Sequence, residues 1–168
     1  MSGKVVDKDN GWREMMARAR ELANGPRVRV GILDDEPKKV APGDEPTPLS
    51  LVEIAGIHEF GAPDAGIPQR SFLRATVDQR ADDIERLLQV QAKKAIEGKI
   101  TAEQALEQTG AKVVSWVQRT ITSQIPPPLA PATLAKKTVN GRVGNVPLVN
   151  TGQLKSSITY VVVEGVEA

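Results

Sequence analysis

The sequence has no cysteine and a single histidine, His58, in 168 residues. Without thiols there are no disulfides and no thiolate zinc sites. One imidazole likewise leaves no room for the HExxH arrangement that His58-Glu59 suggests. That motif needs a second histidine four residues on, and position 62 is Ala62. Aromatic residues are scarce, at 3%: Trp12, Phe60, Phe72, Trp116 and Tyr160. Large rings bury the most area per residue, so the core must rest on Val, Ile, Leu and Ala. No run approaches the roughly 18 apolar residues of a membrane span. The polar, mixed-charge start Met1–Asn10 has no apolar stretch of signal-peptide type. A protein made in a cytoplasm, and used there or packed from there into a particle, is the expectation.

Acidic residues are also missing from one long stretch. Residues 1–107 carry sixteen basic and nineteen acidic groups, whereas between Glu107 and Glu164 there is no carboxylate side chain. Lys112, Arg119, Lys136, Lys137, Arg142 and Lys155 all fall in that gap. Two readings stand side by side: a chance run of neutral polar residues, or a face turned toward nucleic acid or an acidic partner. No G-x-S-x-G, no phosphate-binding glycine loop and no nucleophile–base pair is visible, and the chain reads as a non-enzyme without a cofactor or metal.

What is present predicts one α+β domain: a small, mostly antiparallel sheet against two long helices. Asn10–Ala23 has helical periodicity in Trp12, Met15 or Met16, Ala19 and Leu22, with Asn10 as candidate N-cap and Asn24-Gly25-Pro26 as the stop. In Arg27–Leu33, Val28, Val30 and Ile32 alternate with Arg27, Arg29 and Gly31, which predicts a strand with one wet face. Asp34–Pro48 holds prolines and charges with only Val40 and Ala41 apolar, and a mobile loop is expected there.

Leu49–Phe60 reads as a short helix with Leu51, Ile54, Ala55 and His58 on one face, followed by a Gly/Pro loop over Gly61–Pro68. A lone histidine in that setting is expected to be a packed residue. Ser71 to about Glu97 predicts a long helix closed by Gly98. Thr101 opens another through a capping box with Gln104, its apolar face made by Leu106, Val113, Trp116, Val117 and Ile121. The run Ile125–Pro131 must be extended because proline fixes φ and removes the donor. A rigid connector is favoured over a ligand for aromatic-grooved domains. A helical turn over Ala132–Lys137, a turn at Asn140-Gly141 and a final strand over Ser157–Val163 complete the pattern.

Three ordered pieces carry a resemblance. Ile57-His58-Glu59-Phe60-Gly61 comes first, then Ile67-Pro68-Gln69-Arg70-Ser71-Phe72-Leu73-Arg74. Pro147, Leu148, Thr151, Gly152, Leu154, Ser157 and Ile158 make the third. Together, over about residues 50–163, this set resembles the tail-completion and neck (head–tail joining, virion-morphogenesis) proteins of tailed bacteriophages. The resemblance implies a structural protein of the virion neck, present in the host cytoplasm during assembly. It further implies a homo-oligomeric ring around the DNA channel, with the head connector and the tail tube or tail terminator as partners and no membrane.

The residues themselves fit a scaffold: glycines for sharp turns, Pro68 to delay the helix, and Phe72 and Leu73 to pin it. Thr151 or Asn150 is expected to cap the turn before the last strand. Arg70 and Arg74 lie at a helix start, where the macrodipole disfavours cations, so an anionic partner is expected near them. With Lys136, Lys137, Arg142 and Lys155 they form the suspected set of assembly or channel contacts. The rival expectation is a small nucleic-acid-binding accessory protein that uses the acid-free, basic C-terminal third.

Overall fold

A computed structural model describes residues 10–33, 49–139, 146–149 and 151–165. The loop expected over 34–48 and the turn at Asn140-Gly141 lie outside them. The first helix, α1, is Trp12–Asn24 and the first strand, β1, is Arg27–Ile32. Then come α2 (Leu51–Phe60), a single 3₁₀ turn at Pro63–Ala65, α3 (Arg74–Gln79), α4 (Ala81–Ile96) and α5 (Ala102–Thr122). The chain closes with α6 (Pro131–Val139), α7 (Gln153–Ser156) and β2 (Ile158–Val163). The fold is α+β: helices around a two-stranded antiparallel sheet.

The alternation seen in the sequence sets the sheet. β1 and β2 pair from Arg27↔Val163 through Val30↔Tyr160 to Ile32↔Ile158. Period-2 geometry then places Val28, Val30, Ile32, Ile158, Tyr160 and Val162 on one face and Arg27, Arg29, Thr159 and Val161 on the other. The apolar face lies on α5, the long central helix, which also touches α1, α3, α4 and α7. Val113, Val117 and Ile121 recur along α5 and join Leu51, Phe72, Leu148, Leu154 and Ile158 in one core. The capping box expected at the start of α5 is formed, with Gln104 N donating to Thr101 Oγ1 at 3.1 Å and Thr101 N to Gln104 Oε1 at 3.1 Å.

Several details differ from expectation. The long helix predicted from Ser71 breaks at Arg80 (φ −111°, ψ 14°), where Arg80 N donates to both Thr76 O and Val77 O. The Thr76 hydroxyl donates to Phe72 O at 2.5 Å and lies 2.7 Å from the Thr120 hydroxyl, which ties α3 to α5. The bend at Arg80 then lets α4 lie along α5 with Gln91 and Ala95 buried. Trp12 does not join the apolar face of α1: it is 62% exposed. Asn10 is not the cap of α1, because Gly11 at φ 87° occupies that position. α6 is longer than the single turn expected, starting on Pro131, a residue suited to a first helical position.

Gly110 is a point of close approach between α5 and the sheet. A Cβ there would stand 2.8 Å from Tyr160 Cγ and Cδ2 and 2.8 Å from Val28 Cγ2. Gly110→Ala gains roughly 1 kcal/mol of helix propensity against about 1–3 kcal/mol of overpacking strain. A net loss of stability is therefore expected, read as a lower urea midpoint with an unchanged slope. A raised midpoint would mean that helix and sheet are not in contact at this position.

Candidate functional site

The three sequence pieces meet around α2, and a buried carboxylate ties the first two together. The last residues of α2 and the segment entering α3 run antiparallel. Arg70 N donates to His58 O at 2.7 Å, and Ala62 and Ile67 exchange backbone bonds of 2.9 and 3.0 Å around the 3₁₀ turn. Gly61 makes this possible. It sits at φ 79°, and a Cβ on it would lie 2.9 Å from Gln69 N. Gln69 Nε2 closes the strap by donating to Glu59 O at 3.0 Å.

Inside the strap lies Glu59, only 7% exposed. Helix starts leave backbone N–H groups without intrahelical acceptors, and Glu59 takes those of the α3 start. Its Oε2 accepts from Phe72 N (2.9 Å) and Leu73 N (3.0 Å), and its Oε1 from Arg74 N (3.0 Å) and Ser71 Oγ (2.5 Å). Ser71 Oγ in turn accepts from Ala75 N at 3.2 Å. Burial acts to raise the Glu59 pKa, but the Ser71 hydroxyl and the three backbone donors outweigh it and hold the carboxyl below its ordinary 4.5.

An anion at this helix start was expected, but as a partner for the arginines. It instead bonds the backbone. Arg70, 6% exposed, turns away and donates through Nε to Pro127 O (3.0 Å) and through Nη2 to Pro128 O (3.2 Å). The proline run is thus a connector that offers carbonyls to a buried guanidinium, and Arg70 is engaged by its own chain. Arg74 is exposed, and its guanidinium lies 5.8 Å from the centre of the Phe60 ring. Phe72 and Leu73 pin the segment as expected, Phe72 fully buried and Leu73 packed against the core.

The third piece lies against α2. Leu148, Leu154 and Gln153 are buried, and Thr151 Oγ1 accepts from Gln153 N at 3.3 Å. The N-cap position of α7 is, however, Gly152 (φ 81°) without a side-chain cap, so Thr151 is not the cap expected of it. With Leu51, Ile54 and His58 these residues border a depression of about 100 Å³. Asn150 lies outside the described residues.

Of the suspected basic contacts, Arg70 is buried, whereas Arg74 and Lys155, the latter on α7, are exposed. Lys136 and Lys137 lie in α6, but the described part of that helix does not include their side chains, and Arg142 is outside the described residues altogether. Lys112 lies 5.6 Å from the Trp116 ring, which Arg80 approaches at 5.7 Å. Among the described residues no carboxylate comes within ion-pair distance of Lys112, Arg119 or Lys155, whereas Arg80 pairs with Asp83 at 2.9 Å. No group of three or more His, Asp or Glu among the described residues is placed to hold a metal ion, and no helix there is long and apolar enough to cross a membrane.

Compared with known proteins, the chain matches no family model, no curated protein sequence and no solved structure.

Glu59 supplies the first measurable consequence. Glu59→Gln keeps the size but puts a donor-only NH2 where one carboxylate oxygen accepts. Two of the four donors then lose their acceptor and the other two bond a neutral oxygen. A loss of about 2 kcal/mol or more is expected. The wild-type contribution is complete above pH 4.5. It declines below that value and is gone once the pH passes the lowered folded pKa. Urea melts from pH 6 downward should therefore show a steeper acid loss for wild type than for Glu59→Gln, with the curves converging. Parallel acid limbs would show that folding does not lower the Glu59 pKa.

Proposed function

We propose that this chain is a structural virion protein of the neck, joining a phage head connector to the tail as a ring around the DNA channel. The observation that carries the proposal is the Glu59 junction. Two of the three pieces behind the resemblance, Ile57–Gly61 and Ile67–Arg74, are tied together by the buried Glu59 with four hydrogen bonds, and the third packs beside them against α2. A joint of this kind fixes the angle between α2 and α3 and so presents their outer surfaces in a set geometry, as a ring subunit requires. The reading assigns the protein no catalytic step and no cofactor.

In infected cells that make every other virion component but not this chain, electron microscopy is expected to show DNA-filled heads beside separate tails. Supplying the chain should restore joined particles. Normal yields of joined particles without it would overturn the proposal.

A second reading, a nucleic-acid-binding accessory protein, is favoured by the exposure of Lys112, Arg119 and Lys155 without carboxylate partners among the described residues. The two readings separate in solution. An accessory protein binds duplex DNA with an affinity that falls linearly in log–log against salt, and Arg119→Glu with Lys155→Glu flattens that slope. On the neck reading the same double variant leaves folding intact and lowers DNA retention in joined particles, while the free subunit binds DNA too weakly to give a slope.

A further inference from the structure

Arg70 is a buried cation that has hydrogen bonds but no counter-charge. It is 6% exposed, and arginine is rarely buried to that degree unless paired with an acid. Its Nε and Nη2 donate to Pro127 O and Pro128 O at 3.0 and 3.2 Å. Carbonyl oxygens satisfy donors but carry only partial charge, so they do not neutralise the guanidinium. Among the described residues no carboxylate lies within ion-pair distance of it. Glu59 spends its oxygens on Ser71 Oγ and on the three N–H groups of the α3 start.

Part of that guanidinium is still available. Nη1 makes no hydrogen bond among the described residues, and it is not sealed from solvent. Arg70 borders an open groove of about 300 Å³ between α3 and the start of the proline connector. Arg74 and Asp78 also border it, one turn apart on α3, both exposed and neither ion-paired among the described residues. Ile125 and Pro126 supply its apolar part. The N–H groups of the helix start contribute nothing to it, because Glu59 already holds them.

We infer that this groove receives an acidic side chain of a partner protein, whose carboxylate accepts from Arg70 Nη1 and from the Arg74 guanidinium. The inference goes beyond the neck reading and does not depend on it. Charge complementarity selects the occupant: two guanidinium groups against one carboxylate leave an excess of one positive charge. Guanidinium forks match the paired oxygens of a carboxylate or a phosphate. Asp78 decides between those two, since it repels a doubly charged phosphate, or a run of DNA phosphates, more than a lone carboxylate. Ile125 and Pro126 offer contact to the methylene stem of an acidic side chain, which a bare phosphate lacks. The carbonyls of the proline connector already hold the Arg70 fork in place, so little ordering is left for binding to impose.

Propionate, the side chain of glutamate without its backbone, is the probe. Isotope-labelled full-length protein is titrated with it while the Arg70 Nε–H signal is followed by NMR, assigned through its bonds to the Arg70 backbone amide. A saturable shift is expected. Arg74 and Asp78 are exposed, so their variants leave the core and the Tm unchanged. Asp78→Asn is expected to tighten propionate several-fold, and Arg74→Gln to weaken it several-fold. Formate, which has no methylene to set against Ile125 and Pro126, should bind several-fold more weakly than propionate.

A shift that grows without saturating, or that is the same in wild type and both variants, would overturn the inference. Tighter binding of inorganic phosphate or of a short DNA duplex than of propionate, read on the same signal, would also overturn it by assigning the groove to phosphate. Joined particles formed without the chain defeat the neck reading and leave this result untouched.

Discussion

A single carboxylate stands between α2 and α3, and most of the architecture around it follows from the need to satisfy it. Glu59 leaves water only because four donors replace the lost hydration, three of them the backbone groups that the start of α3 cannot satisfy itself. The exchange is mutual. Without Glu59 the helix start would hold buried N–H groups without acceptors, each costing about 1–3 kcal/mol. Without the helix start, a buried carboxylate would take up a proton instead of remaining charged. Gly61, Gln69 and Ser71 serve this exchange by folding the chain back tightly enough for residues 59 and 72–74 to meet.

A second, nondirectional constraint holds the rest. α5 carries the buried stripe of Val113, Val117 and Ile121, and helices and sheet close on it from several sides. With few aromatics available, area has to come from close approach. Gly110 lets the helix backbone come down on Tyr160 and Val28, while Trp116 stays at the margin with Arg80 and Lys112 beside its ring. The polar junction sets an angle, and the apolar stripe supplies most of the cohesion.

Much of this was legible in the residues. The alternation of Arg27–Leu33 and the β-branched run of Ser157–Val163 announced the two strands. Thr101 and Gln104 announced α5, because a capping box is a local code read over four positions. Glu59 escaped the same reading, since its acceptors' partners lie twelve to fifteen residues away and no rule of short spacing links them. The break at Arg80 was hidden for a related reason: the apolar period runs through it, and only the tie between Thr76 and Thr120 of another helix shows where α3 must stop. Arg70 misled because a helix-start cation was judged against the dipole alone, before the carbonyls of the proline connector were known to reach it. The exposed side of α2 was missed because Leu51, Ile54, Ala55 and His58 marked one face as inward while apolar Val52 and Phe60, read with it, stand exposed on another.

The pairing of β1 with β2 has a bearing on how the chain is made. The sheet joins Arg27–Ile32 to Ile158–Val163, with all of the core helices between them in sequence. Such a pairing has high sequence separation and is slow to form, and during synthesis the first strand emerges long before its partner exists. Until Tyr160 leaves the ribosome, α5 lacks the surface that its Gly110 was shaped to meet. The helical middle can gather early, but the sheet closes only once residues 158–163 have been made, so a chain cut before them lacks the sheet altogether.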